Sequence, residues 1–256
     1  MLYDNQHGGA MTIAQRARNA VAFLRSYGAR RFFHYVLLGF SEMWHERYFG
    51  IDTGGTVGLE TLGIVNADAV EYRPTPYQGF MAAMRRIPIG RSDEDVFIDY
   101  GAGKGRIVTV AATLRLRRVV GIELSPQLAA KARENLGNAK GRFRCKSVDI
   151  LTCDATAFAV PDDATILHFY NPFRGETLRR VIANIRESLN KTPRQLVLMF
   201  ANPWYIDALL RSGEAFPSDW LRGEDDVLWP HYDHGQPNAN RYRIYRLDSR
   251  GIADSL

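Results

Sequence analysis

DVFIDYGAGKGRIVTVAATLRLRRVVGIE, residues 95–123, decides the fold. Val96, Phe97 and Ile98 form a short apolar run, of the kind that a parallel sheet buries on both faces. Asp99 ends the run, and Gly101, Gly103 and Gly105 follow at every second position. Glycines this close together let the backbone turn sharply and lie against a ligand that a Cβ would push away. Ile107, Val108, Ala111, Ala112 and Leu114 then recur at helical spacing. Val119-Val120-Gly121-Ile122 returns as a second strand, with Glu123 at its carboxyl end. Strand, glycine loop, helix and strand in this order predict a nucleotide-type site at the carboxyl ends of parallel strands. A dinucleotide fingerprint would need glycine where Arg106 stands.

The spacing Asp-x-Gly-x-Gly-x-Gly, with an acid after the second strand, resembles the class I S-adenosylmethionine-dependent methyltransferases. The resemblance covers about residues 72–247. It implies an α/β three-layer, Rossmann-like sandwich with a seven-stranded, mostly parallel sheet whose strand seven, Arg241 to Leu247, runs antiparallel between strands five and six. It implies an enzyme that uses S-adenosyl-L-methionine and releases S-adenosyl-L-homocysteine. Within it, Gly101, Gly103 and Gly105 form the loop against the cofactor, and Asp99 makes polar contacts near the amino group. Glu123 takes the two ribose hydroxyls, since a carboxylate accepts two hydrogen bonds at once from a vicinal diol. Asp154 and the backbone of Ala155, after the strand candidate 148–151, take the adenine.

Further along, ATILHFYNPF (residues 164–173) is an apolar strand ending in Tyr170-Asn171-Pro172-Phe173. Amine-directed members of the family carry Asp/Asn-Pro-Pro-aromatic here, so the resemblance assigns Tyr170, Asn171 and Phe173 to the catalytic pocket. The amide oxygen and the next backbone carbonyl would accept the hydrogens of a target amine. Only one proline separates Asn171 from Phe173, a departure from the family pattern that leaves the acceptor atom open between nitrogen and oxygen. His168, on the same strand, reads as a buried, hydrogen-bonded histidine. The EYRPTPYQGF segment (residues 71–80) has Thr75 placed to cap a helix that starts near Pro76 and runs to Arg86. Paired with the later DYGAGKGRIV, it resembles the mitochondrial protein-lysine methyltransferases that modify an ATP synthase subunit. Tyr77 is there a candidate cofactor contact. The acceptor implied is an amine of a small molecule or a protein lysine. O-methylation of a small acid or hydroxyl is the alternative, favoured by the missing proline and by Trp204, Tyr205, Trp229 and Tyr232 near the expected mouth. A non-catalytic cofactor-binding module is a third reading.

The 256 residues suit one α/β domain with an appendage, divided as 1–70, a helical cap and hinge loop, and 71–256, the methyltransferase domain. Apolar residues make up 46% of the chain, enough for a core without disulfides. Cys145 and Cys153 form neither a metal set nor a disulfide framework, which points to a reduced, cytoplasmic compartment. His231, Asp233 and His234 have no third partner at ligand spacing, so no metal is expected.

The net charge of +5 has one source. Residues 11–40 carry Arg16, Arg18, Arg25, Arg30 and Arg31 and no acid, and the remainder balances 28 basic against 28 acidic residues. The main body thus lacks the basic footprint of a nucleic-acid enzyme. Ile13, Ala17, Ala20, Val21 and Leu24 share one helical face, and Phe32, Phe33, Val36, Leu37 and Phe40 repeat it after Gly28. Three readings compete for this segment: a cap on the catalytic domain, a helix on a membrane surface, or an organelle presequence. The cap is favoured because Trp44, His45, Tyr48 and Phe49 continue without a cleavage-like break. Neither nucleic acid nor a membrane is then an expected partner, and the N-terminal helices suit a homodimer. Residues 1–10 read as disordered. Thr53-Gly54-Gly55-Thr56 reads as a flexible loop, a linker or a lid.

Overall fold

The structure is a computed structural model that describes residues 13–88, 94–203, 205–211, 215–229 and 241–250. Its elements run α1 (Ile13–Phe49), α2 (Tyr77–Met84), β1 (Val96–Tyr100), α3 (Arg106–Ala112), β2 (Arg118–Glu123) and α4 (Pro126–Ala139). They continue with β3 (Ser147–Thr152), β4 (Ile166–Phe169), α5 (Gly175–Lys191), β5 (Gln195–Ala201), α6 (Ile206–Arg211), β6 (Leu221–Leu228) and β7 (Arg241–Asp248). The strands form one seven-stranded sheet of order β3-β2-β1-β4-β5-β7-β6. The first five strands in that order pair in parallel, and β7 runs antiparallel between β5 and β6. This is the expected Rossmann-like sandwich.

Successive side chains of β1 point to opposite faces and enter two cores. On one face Phe97, Val119, Ile166, Met199 and Ile244 pack against Phe80 of α2, Ile107 of α3 and Ala132 of α4. On the other, Ile98, Val120, Leu167 and Leu198 pack against Val181, Ile182, Ile185 and Leu189 of α5. Burying β1 on both sides explains why it reads as a continuous apolar run.

Ser125 caps α4 as its sequence predicts, its Oγ accepting the Leu128 N–H at 3.3 Å with Pro126 in the first turn. Thr75 does not cap α2. The Tyr77 N–H is instead bound at 3.0 Å by the Glu42 carboxylate, which arrives from α1. Strand β6, LRGEDDVL, carries no apolar alternation that would mark it. It is an edge strand whose acids pair across to β7, Glu224 with Arg243 at 3.2 Å and Asp225 with Arg246 at 2.6 Å.

Helix α1 is broken at Gly28 (φ 81°, ψ 163°), a backbone state that a side chain would strain. The part after the break lies on the sheet domain, where Leu38 and Phe49 are buried and Phe49 joins Ile51 in the α2–α4 core. No helix among the described residues is long and apolar enough to cross a membrane.

Candidate active site

A cleft opens at the carboxyl ends of β1, β2 and β4. Asp99, Gly101, Gly103, Glu123, Asp154, Ala155, Tyr170, Asn171 and Phe173 all line it. Two sequence-predicted residues do not. Gly105 (φ 80°) sits at the start of α3, where a Cβ would come within 3.0 Å of Ala132 Cβ, so it serves helix packing. Tyr77 is fully buried under α1, stacked on His45 with ring centroids 4.5 Å apart. The start of α2 faces the cap, because two carboxylates of α1 cover it.

The glycine loop is tightly enclosed. A Cβ on Gly103 (φ 55°) would lie 2.2 Å from the Tyr72 ring, and one on Gly101 (φ 76°) would lie 2.3 Å from Pro172. Glu123 is buried and holds the loop from below: its Oε2 accepts the Gly103 N–H at 2.7 Å and its Oε1 the Ser125 N–H at 2.8 Å. Burial raises its pKa above the ordinary carboxylate range, the two N–H groups oppose that shift, and the charge of Asp99 adds to it. Asp99 is itself buried, with Oδ1 2.7 Å from His168 Nδ1, and His168 Nε2 lies 2.9 Å from the Tyr242 hydroxyl. His168 is therefore the hydrogen-bonded core histidine that its strand predicts. Asp154 accepts the Thr156 N–H at 2.8 Å and starts the turn that carries Ala155.

Fit to S-adenosylmethionine rests on these acceptors and on the glycine loop. Glu123 and Asp154 stand at the ends of adjacent strands with the apolar Ile122, Leu124 and Leu128 in the same cleft wall. The loop beside them leaves no room for a Cβ. A carboxylate that could take a diol, a second that could take an exocyclic amine and apolar side chains in the same cleft suit a nucleoside.

Asn171 (φ 44°) ends β4 in the left-handed region. Its amide Nδ2 donates to the backbone carbonyl of Asn202 at 2.5 Å, at the end of β5, where Asn202 has φ 49°. Two Asn-Pro turns thus lie side by side. A carbonyl can only accept, which fixes the amide with nitrogen toward Asn202 and leaves Oδ1 as an acceptor without a partner among the described residues.

Several residues around the cleft escape a reading by motif. Arg106, noted in the sequence only as the residue that excludes a dinucleotide fingerprint, is buried at the start of α3. Its Nε donates to Thr53 Oγ1 at 2.7 Å, Nη1 to the Thr75 carbonyl at 3.0 Å and to Glu42, and Nη2 to Glu46 at 2.9 Å. Burial alone would lower its pKa, but Glu42, Tyr77, Tyr72 and Glu46 turn the net shift upward, so it stays charged. Thr53 is fully buried, its N–H donating to Glu46 at 2.8 Å, and Gly54 accepts Lys104 Nζ at 2.6 Å. The Thr-Gly-Gly-Thr loop is therefore pinned at its first half. The Tyr72 hydroxyl donates to the Thr53 carbonyl at 2.6 Å, which sets the ring against Gly103. Leu59, Leu62 and Ile64 form an outer wall; a bridge from Val57 to Tyr72 closes that segment on itself, and one from Ala69 to Phe173 ties it to the chain after β4. Of the aromatics expected at the mouth, Tyr205 and Trp229 do not line the cleft, and Trp204 and Tyr232 lie outside the described residues, as do His231, Asp233 and His234.

Residues 98–192 match the family model described as a methyltransferase domain. The chain is similar in structure to an RNA methyltransferase from Salinibacter ruber solved with S-adenosyl-L-homocysteine, at 24% identity and a TM-score of 0.43, over 68% of this chain and 92% of that one. It is also similar to a putative RNA methyltransferase from Pyrococcus horikoshii, at 15% identity and a TM-score of 0.49, over 73% and 90%. A TehB-like S-adenosylmethionine-dependent methyltransferase from Corynebacterium glutamicum is similar at 15% identity and a TM-score of 0.44, over 82% and 97%. No curated protein matches the chain.

Proposed function

We propose, on the premise that the chain carries a class I S-adenosylmethionine-dependent methyltransferase domain, that its acceptor is an amine nitrogen of a small molecule. The observation that carries this reading is the orientation of Asn171, whose amide nitrogen is committed to Asn202 while its oxygen remains to accept an amine hydrogen. An acceptor of that kind aligns the nitrogen lone pair, and alignment is most of what a sulfonium methyl requires of an enzyme. When bound, the cofactor supplies the electrophilic methyl and leaves as S-adenosylhomocysteine. The chain's own tasks are to hold and to exclude. Glu123 and Asp154 would hold the nucleoside, Asp99, fixed by His168, would hold the amino group, and Tyr170 and Phe173 would bound the acceptor.

The wall formed by residues 57–75 favours a small amine over a protein lysine, because its Ala69 bridges to Phe173 and its Tyr72 ring packs against Gly103. A lysine acceptor, which the Tyr-x-Pro-Thr-Pro resemblance implies, would need that wall to open. O-methylation is less supported, since the described aromatics invoked for it stand away from the cleft.

Labelled cofactor offered with panels of amines, carboxylic acids, phenols and lysine peptides tests the proposal. Transfer to small amines is expected, with Asn171→Ala lowering turnover about a hundredfold while cofactor affinity holds. Transfer to acids or phenols that is indifferent to Asn171→Ala would overturn it.

A further inference from the structure

The half of α1 that follows Gly28 has two faces. Leu38, Glu42 and Phe49 face the catalytic domain, where Glu42 and Glu46 bind Arg106. On the opposite side Phe33, Leu37, Phe40, Trp44 and Tyr48 recur at spacings of four, three, four and four residues. At about 100° per residue they fall within an arc of roughly 80°. All five are 46–65% exposed. Met43 borders the stripe, also exposed, and the Trp44 and Tyr48 rings stack at 5.1 Å. Before the break Val21 and Leu24 are exposed as well. An apolar stripe of this length is not what a monomer leaves to water.

Charge selects its occupant. Residues 11–40 contain five arginines and no acid, and Arg18 and Arg25 are exposed. The acids that follow on the helix, Glu42 and Glu46, are turned inward to Arg106. Arg47 is exposed in the last turn, and the Arg142 guanidinium lies 4.7 Å over the Tyr48 ring at the end of the stripe. A second copy docked here would set the exposed Arg18 and Arg25 against arginines, with Glu42 and Glu46 turned away. An anionic surface satisfies both the stripe and its cationic rim.

We infer that α1 docks this face on an anionic lipid surface, lying in the headgroup plane with its aromatic stripe inserted. Aromatic and long aliphatic side chains suit that depth, and each arginine near the surface adds to the attraction. The inward face keeps the catalytic domain attached while the outward face binds. The inference stands on the surface of α1 alone and is independent of the acceptor. It revives, for the outer face, the membrane-surface reading of the segment against the expectation of no membrane partner.

Flotation of the full chain with phosphatidylcholine vesicles, with and without phosphatidylglycerol, tests it. Binding is expected only with phosphatidylglycerol, weakening as salt rises, together with a blue shift in tryptophan fluorescence that Trp44→Ser removes. Phe40→Ser with Trp44→Ser should abolish flotation, and Arg18→Gln and Arg25→Gln should each weaken it about fivefold. These side chains touch no core, so circular dichroism and cofactor binding should stay unchanged. Equal binding to neutral vesicles would overturn the charge argument. No binding to either, with a dimer in sedimentation that Phe40→Ser dissolves, would assign the face to a second copy. Capture of RNA with loss of flotation would overturn the proposal as well.

Discussion

Arg106 reaches 60 positions back along the chain to Glu46, Nη2 to Oε1 at 2.9 Å, and thereby ties the glycine loop to the N-terminal helix. Glu42 binds the same guanidinium, the Tyr77 ring lies 4.3 Å beneath it, and Thr53 shares both ends of the network. Arg106→Leu removes the charge and leaves two partly buried carboxylates facing each other. Breaking one partner out of a buried pair costs about 3–5 kcal/mol, and the residual water contact of Glu42 and Glu46 places this variant at the low end. Urea denaturation should show a loss of roughly 3 kcal/mol. A loss under about 1 kcal/mol, the size of a surface pair, would mean that the network is screened.

Glu123 carries a prediction with a sign. Its folded pKa is raised, so the folded chain keeps the proton over the window between the ordinary carboxylate value and the raised one. The contribution of this group to stability is fully present below that window and is lost as pH rises through it. Cofactor affinity moves the other way, because the diol hydrogens need the ionised carboxylate. Calorimetry across the acid range should show affinity rising with pH, a dependence that Glu123→Gln flattens. At neutral pH Glu123→Ala should weaken binding by roughly 1.5–3 kcal/mol, the value of hydrogen bonds to a charged acceptor. Unchanged affinity in both variants would remove Glu123 from the ribose.

Gly103 and Tyr72 form a testable pair. A methyl at Gly103 meets the Tyr72 ring at 2.2 Å and sits on a backbone with φ 55°. Gly103→Ala should lower stability and abolish cofactor binding. Adding Tyr72→Ala should relieve the clash but not the backbone strain of about 1–2 kcal/mol, so stability recovers in part. If the double variant is no more stable than the single one, the ring is not what confines the loop.

What the sequence made legible was local. The strand–loop–helix–strand unit, the Ser125 cap and the cleft positions of Asp99, Glu123 and Asn171 all rest on local spacings. What stayed hidden was carried by long-range pairing. Glu42 substitutes for Thr75 as the cap of α2, across 35 positions, and removes Tyr77 from the cleft. Small polar composition at Thr53 reads as a loose linker, yet Arg106 fixes it from 53 positions away. An acidic strand such as β6 looks like a loop until its arginine partners on β7 are beside it. Gly105 fits the motif spacing but answers to Ala132 on the neighbouring helix.

The break at Gly28 divides α1 into parts with different structural roles, and two truncations separate them. Removing residues 1–28 leaves Leu38 and Phe49 in the core and both carboxylates on Arg106. That protein should fold, with the midpoint of thermal unfolding and the cofactor affinity close to those of the full chain. Removing residues 1–49 takes away Phe49, exposes Tyr77 beneath it, and strands a guanidinium that is 5% exposed. Loss of a large core aromatic costs about 3–5 kcal/mol and the unpaired buried charge a similar amount. Together these approach the whole stability of an ordinary domain, roughly 5–15 kcal/mol. The shorter protein should therefore be recovered aggregated or without near-ultraviolet circular dichroism. A folded 50–256 fragment that binds cofactor normally would show that the inward face of α1 is a lid and not a part of the core. Failure of the 29–256 fragment would place structural weight on the helix before the break.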